Sequence, residues 1–334
     1  YIMNNAQYNQ LRHQQLPWTE KYAPKHFDQL YLHETLKSRI KDFAKSKNIP
    51  NLILTGPPGT GKSAAARCIS NSLYNEYASK ETLELNSSDG IDSIKDFCRI
   101  SRSYKKETIE KYIPHKLVII NDADNMDENK VQPNINSLME MHKKNVKFIF
   151  TCTKPSNIIE SIQSRCIILQ FEEPHHSLIL NKLTAVCKQE CIKYDTTSLN
   201  NIATISKGDI RRSINLLQLI HNKYKIIKNE YVNELCTFPQ HVTIFKLLEA
   251  VIQNDAKAGV LLMIELRQMG YSGSDIMLGI INTIQSNICN NISNDKINII
   301  LKEVCQTSYL ISKHTDSDLQ LHCCVTEMVK KLKN

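Results

Sequence analysis

The stretch Asn51-Leu-Ile-Leu-Thr-Gly-Pro-Pro-Gly-Thr-Gly-Lys-Ser63 decides how this chain is read. Its first five residues form an apolar run of strand length. The next eight match G-x-x-x-x-G-K-[ST] in full. Small residues follow at Ala64, Ala65 and Ala66, at the start of a predicted helix over 63–74, and permit close packing. Strand, glycine loop and helix in that order make a phosphate-binding loop. Glycines let backbone N–H groups converge on phosphate oxygens without Cβ clashes. The helix turns its positive end toward the same anion. Lys62 is placed to reach the β- and γ-phosphates, and Ser63 to offer its hydroxyl to Mg²⁺. The candidate nucleotide-binding residues here are Gly56, Pro57, Pro58, Gly59, Thr60, Gly61, Lys62, Ser63 and Ala64.

Outward from this loop, predicted strands over 81–85, 116–120, 146–152 and 166–171 are separated by helical patterns, one of them a basic stretch over 91–109. That alternation predicts an α/β fold with a parallel five-stranded sheet and helices on both faces. The uninterrupted apolar strands suit a sheet buried on both sides. After Pro174 only helical periodicity remains, over 178–191, 197–206, 209–222 and 229–235. Gly208 interrupts it and Asp209 reads as an N-cap. Residues 236–240 read as a linker, and 241–334 is helical again, with breaks at 270–273, near 290–295 and at 314–317.

Composition bounds the rest. The 334 residues suit two or three domains at ~150 residues each. Apolar residues at 41% and charged residues at 23% exclude a wholly disordered or fibrous chain. No apolar run approaches the ~18–20 residues that span a bilayer, so no membrane partner is expected. Residues 1–15 are polar and lack the layout of a secretory leader. The eleven cysteines lack metal-ligand spacing: Cys187 and Cys191 lie four apart and Cys323 and Cys324 are adjacent, with no matching second pair. They read as reduced thiols of an intracellular protein. The net charge of +8 suits a polyanionic partner.

A phosphate-binding loop that hydrolyses nucleotide needs a carboxylate at the end of a neighbouring strand to hold the Mg²⁺ water shell. It also needs a base or water-positioning group beside it. The candidate is Leu117-Val-Ile-Ile-Asn-Asp-Ala-Asp124. Asn121 follows the apolar run and is a neutral, weaker anchor. Asp122 is one methylene shorter than Glu, and about an ångström matters for positioning chemistry. Alternatively, Asp122 takes the metal role through a one-residue bulge, and Ala123 then stands at the base position. Either arrangement is a damaged hydrolytic centre. The candidate metal-site residues are Ser63, Asn121 and Asp122.

These motifs together resemble the small subunits of replication factor C, the sliding-clamp loader within the AAA+ ATPases, and most nearly the type called subunit 2 in animals. The resemblance runs over almost the whole chain from Leu16. It rests on Leu16-Pro-Trp-Thr-Glu-Lys-Tyr-Ala-Pro24, the phosphate loop, Leu83-Glu-Leu-Asn-Ser-Ser-Asp-Gly-Ile-Asp92 and Asn121-Asp-Ala-Asp-Asn-Met126. Ile158-Ile-Glu-Ser-Ile-Gln-Ser-Arg-Cys166, Gly208-Asp-Ile-Arg-Arg-Ser-Ile-Asn-Leu-Leu-Gln218 and Gly270-Tyr-Ser-Gly-Ser-Asp-Ile276 complete it, and Ser164-Arg-Cys166 is its most specific element. The resemblance implies an N-terminal extension over 1–15, a nucleotide-binding domain over 16–173, a helical lid over 174–237 and an α-helical collar over 238–334. It further implies ATP and Mg²⁺ as cofactors. The partners would be other subunits in a hetero-pentamer, a sliding clamp and primer–template DNA, in the nucleus. Thr19 and Tyr31 would line the adenine side, Thr153 would be the first sensor and Arg211 the second. Arg165 would be an arginine finger for the neighbouring subunit. Lys62, Asp122, Arg165 and Arg211 are thus the catalytic candidates.

The departures from the family fall mostly on hydrolysis. Asn121 replaces Asp, Asp122 replaces Glu and Thr153 replaces Asn. Ala23 replaces Arg, two residues are missing between Asp89 and Gly90, and Asn136 and Ser137 replace a pair of arginines. Pro133 falls in an expected helix and is tolerable there in the first turn. The expected subunit binds ATP, offers a finger, and turns over its own ATP slowly or not at all. Lys95 and Arg99, four apart on one predicted helix face, are the candidate DNA contacts, with Arg102, Lys105 and Lys106 extending the basic run. Two other readings stay open: a non-catalytic structural subunit, and an autonomous AAA+ helicase or remodeller, which would need a working acid site of its own.

Overall fold

Five strands form one parallel sheet: β1 (Leu52–Thr55), β2 (Thr82–Asn86), β3 (Lys116–Asn121), β4 (Val146–Cys152) and β5 (Ile167–Gln170). Their order across the sheet is β2-β3-β4-β1-β5, so the strand that feeds the glycine loop is central. This is a computed structural model, and it describes residues 16–45, 49–103, 115–235, 241–285, 293–313 and 316–333. The expected linker over 236–240, the extension over 1–15, and Lys105 and Lys106 lie outside the described residues, as does the side chain of Arg102.

The period-2 alternation of each strand divides the core in two. Leu52, Leu54, Leu117, Ile119 and Ile149 face Ile40 of α2 (Glu34–Lys45) and Ala65, Ile69 and Leu73 of α3 (Lys62–Tyr74); a short helix α1 (Trp18–Lys21) precedes both. On the other face, Ile53, Val118, Ile120, Phe148 and Phe150 pack against α5 (Ile91–Ser103), α6 (Val131–Met141) and α7 (Glu160–Gln163). Each large apolar side chain so buried contributes roughly 1.5–3 kcal/mol. Glu81 does not open a strand, as its sequence suggests. It closes the short helix α4 (Ala78–Glu81), and its carboxylate stands 3.8 Å from the Lys116 ammonium, both groups nearly buried. Pro133 is the third residue of α6, where its missing N–H breaks no helical hydrogen bond.

Four helices follow the sheet: α8 (His176–Gln189), α9 (Thr196–Ser206), α10 (Ile210–Tyr224) and α11 (Asn229–Leu235). Asp209 caps α10 as expected, accepting the Arg212 N–H at 2.9 Å. The chain divides into two compact units between Val232 and Asn233, so the sheet and α8–α10 belong to one unit. The second unit has its own core. Leu247, Val251, Met263, Ile280, Val304 and Val325 come from α12 (His241–Ile252), α13 (Ala256–Gln268), α14 (Gly273–Gln285), α15 (Asn294–Lys313) and α16 (Asp318–Lys333). Among the described residues no helix is long and apolar enough to cross a membrane.

Candidate functional site

The glycine loop leaves β1 between two close neighbours. A Cβ at Gly56 would stand 2.2 Å from the Phe171 carbonyl oxygen. A Cβ at Gly59, whose φ is +73°, would stand 1.9 Å from the Asp209 carboxylate. Only glycine allows both approaches. The Ile210 N–H donates to the Gly59 carbonyl at 3.2 Å, so the N-terminus of α10 is seated on the loop itself. Lys62 opens α3 and is almost wholly buried. Its Nζ donates to the Gly56 and Pro57 carbonyls, at 2.7 Å each. Burial holds its ammonium below the ordinary lysine range, and the Asp122 and Asp124 carboxylates partly offset this. A buried cation whose hydrogen bonds, among the described residues, go to carbonyls, at the start of a helix, fits a polyphosphate.

A cavity of about 430 Å³ lies over this loop. The structure brings Pro58, Gly59, Thr60, Gly61, Lys62, Ser63 and Ala64 to its wall, together with Thr19, Tyr31, Asn121, Asp122, Thr153 and Arg211. Gly56 and Pro57 do not line it and act through the carbonyls that hold Lys62. Tyr22, Pro24, Leu30, Tyr31 and Leu32 also line it, an apolar and aromatic set suited to a flat heterocycle. Burial raises the pKa of the Tyr31 hydroxyl. Lys182 of α8 lines the cavity as well, beside Tyr22 and Tyr31. Its Nζ donates to the Tyr22 carbonyl at 2.9 Å and lies 5.4 Å from the Tyr31 ring centroid, and burial lowers its pKa. Nothing in the sequence singled Lys182 out, because it arrives from a helix 120 positions beyond the loop.

The N-terminal segment roofs the cavity and bonds to the helices beyond the sheet. The Trp18 N–H donates to Gln218 Oε1 at 3.0 Å, and its indole lies 5.3 Å from the His221 ring. Lys21 and the Tyr22 hydroxyl both bond Glu190, at 2.6 and 2.5 Å. Desolvation and the Glu190 carboxylate push the Tyr22 hydroxyl up to about 12.

On the acidic side, Asn121 is bonded at both ends of its amide. Its Nδ2 donates to Glu84 Oε1 at 2.8 Å, and its Oδ1 accepts the Thr151 hydroxyl at 3.2 Å. Glu84 is gripped in turn by Arg67, whose Nε lies 2.9 Å from both carboxylate oxygens. Arg67 and Asn86 line the cavity and were likewise not legible from the sequence. Asp122 has a left-handed backbone, φ +52°, and an exposed side chain facing the cavity. Asp124 accepts the Thr153 and Lys154 N–H groups at 3.0 and 3.2 Å. Burial alone would raise its pKa, but those two donors bring it below the usual carboxylate value.

Three expected residues lie elsewhere. Arg165 does not line the cavity; it donates to the Ser161 carbonyl at 3.0 Å and pairs with Glu140. Lys95 and Arg99 sit on α5, away from the cavity, paired with Asp92 at 3.1 Å and Asp96 at 3.7 Å on the same helix.

Residues 52–173 match the family described as "ATPase family associated with various cellular activities (AAA)", and residues 181–220 match the "RCF1/5-like, AAA+ ATPase lid domain". A replication factor C small subunit of Staphylothermus marinus is 32% identical over 337 residues, covering 96% of this chain and 97% of that protein. One of Saccharolobus solfataricus is 33% identical, covering 94% of each. "Probable replication factor C subunit 2" of Dictyostelium discoideum is 32% identical over 86% of this chain and 85% of that one. Among solved structures, the Thermotoga maritima RuvB Holliday junction branch migration motor superposes with a TM-score of 0.54 at 16% identity, over 69% of this chain and 79% of that one. At that identity the likeness concerns the fold.

Proposed function

The chain belongs to the replication factor C small-subunit family, and from that premise we propose that it is an ATP-binding subunit of a clamp loader that serves its neighbour's site better than its own. One observation carries this reading. β1 and β5 run parallel and in register, from Leu52 beside Ile167 to Thr55 beside Gln170. The phosphate loop leaves the C-terminal end of β1, whereas Arg165 precedes the N-terminal end of β5. Strand rise alone separates them by roughly 13 Å. Arg165 therefore lies at the other end of the sheet from its own cavity, which supports a role at a site on another chain.

Bound ATP with Mg²⁺ supplies the hydrolysable γ-phosphoryl bond and the charge neutralisation around it. The chain's residues would divide the binding. Lys62 and the loop amides take the phosphates, Ser63 and Asp122 are the donors open to the metal, and Arg211 comes from α10 as the second sensor. Tyr31, Thr19 and Lys182 take the base end. Asn121 adds little as a metal ligand, because both ends of its amide are already bonded. Asp122 is too short to stand in for a glutamate base, and Thr153 stands at the first sensor. These losses support slow turnover at this chain's own site. In the neighbour's site the Arg165 guanidinium would neutralise developing charge, an effect worth several kcal/mol.

The rest of the reading follows from the same premise. The parts are a nucleotide-binding domain over 16–173, a lid over 174–237 and a collar over 238–334. The partners are other loader subunits in a hetero-pentamer, a ring clamp and primer–template DNA, with Lys95 and Arg99 on the phosphate backbone, in the nucleus. A second reading, a structural subunit that holds nucleotide without turning it over, is favoured by Asn121, bonded at both ends of its amide. Capture of the tagged chain from its native cells tests the proposal. The expected result is recovery of further AAA+ chains, with a ring clamp retained when a slowly hydrolysed ATP analogue is present. Recovery of this chain with copies of itself alone would instead favour an autonomous AAA+ motor. Restoring Asn121→Asp with Asp122→Glu distinguishes the two subunit readings, since a gain in own-site turnover supports an impaired site and none supports a structural one.

A further inference from the structure

Both terminal nitrogens of Arg165 are engaged within its own chain. Nη1 donates to the Ser161 carbonyl at 3.0 Å, and Nη2 is ion-paired to Glu140 Oε1 near the end of α6. The backbone of Arg165 is anchored separately. Asn51 Nδ2 lies 3.4 Å from its carbonyl, and Asn51 Oδ1 accepts the Phe148 N–H at 3.0 Å. The main chain is thus tied to the sheet, while the guanidinium tip, the part that leads when the side chain reaches outward, is held by a carboxylate.

Stability gives little reason for that contact. The two side chains keep 37% and 55% of their exposure, and exposed ion pairs contribute little to folding. Chemically the contact resembles the finger's own task. A carboxylate and a phosphate present the same kind of anionic oxygen edge to a guanidinium. We propose that Glu140 is a positioning residue for Arg165: its carboxylate holds the guanidinium in the separate subunit and yields it to a phosphate of the neighbouring subunit's nucleotide. The inference rests on the reading of Arg165 as a finger acting in trans. The guanidinium passes from a singly charged partner to a more highly charged one and is paired at both ends of the exchange. Glu140 then sets the threshold at which the finger engages and leaves the rate after engagement unchanged.

The test titrates this full-length chain into the partner subunits recovered with it and follows their ATP turnover. Glu140→Gln and Glu140→Ala are expected to lower the half-saturating concentration about two- to fivefold, with the plateau rate unchanged. Raising the salt should shrink that gain. In an Arg165→Ala background the stimulation is lost and the Glu140 substitutions change nothing further. On the isolated chain, phenylglyoxal should modify Arg165 faster in Glu140→Gln than in the parent, read by peptide mass spectrometry. An unchanged or raised half-saturating concentration, a fallen plateau, or an equal modification rate overturns the proposal and leaves the finger reading standing. Stimulation that survives Arg165→Ala overturns the finger reading, and the role of Glu140 falls with it.

Discussion

At Asn121 the amide does two jobs that a carboxylate could not do together. It donates to Glu84 and accepts from Thr151, in a position 7% exposed. Asn121→Asp replaces that donor with a second carboxylate against Glu84. The expected cost is about 1–3 kcal/mol, the scale of a lost charged hydrogen bond. It should shrink at acidic pH, where one carboxylate of the pair protonates. Urea denaturation of the variant at neutral and acidic pH checks this, and Glu84→Gln should rescue most of the loss. His115 predicts a second pH effect. It is 3% exposed, and burial, helped by the nearby Lys147 charge, lowers its pKa from 6.5 to about 4. Between those values the unfolded chain binds the proton and the folded chain does not. Stability is therefore intact above pH 6.5 and is lost progressively down to about pH 4, by at most about 3 kcal/mol. His115→Gln should flatten that part of the stability–pH curve; an unchanged slope would assign the loss to other groups. At this scale the sequence exposed what is contiguous, namely the loop, Asn121, Asp122 and Asp209. It hid Glu84, Arg67 and Lys182, whose roles exist only once distant segments pack together.

Among the elements, α6 depends on one polar side chain. Gln132 has no exposed surface. Its Nε2 donates to the Met126 and Asn157 carbonyls at 3.2 and 2.9 Å, and its Oε1 accepts the Ile159 N–H at 2.8 Å. It ties the helix to the turn after β3 and to the segment leading to Arg165. Gln132→Leu leaves three backbone groups unpaired and should destabilise the first unit by roughly 2–4 kcal/mol, read as a fall in the denaturation midpoint. For α5, Lys95 and Arg99 each have an acidic partner one turn back, which would reduce the charge they offer if the proposed DNA contact holds. Replacing both with alanine should weaken DNA binding by the assembly and lower the slope of log affinity against log salt by at most about 1.8; an unchanged slope would remove them from the interface. The strands were legible because each is a short apolar run, and β2 was the least so. Its burial alternates between partial and exposed, and its true start follows a one-turn helix that propensity does not announce. Pro133 and Asp209 were legible because proline and capping chemistry act locally.

For the whole molecule, the first unit carries the cavity and, before the opposite end of its sheet, Arg165, which does not line it. The central claim is that the two ends of this sheet serve two different sites. One comparison tests it most directly: ATP turnover of the reconstituted assembly with Lys62→Met and with Arg165→Ala in this chain. Lys62→Met should abolish nucleotide binding at this chain's cavity while costing the assembly little of its turnover. Arg165→Ala should leave that binding intact and cut the neighbour's turnover by about a hundredfold or more. A large loss from Lys62→Met together with little loss from Arg165→Ala would contradict the account.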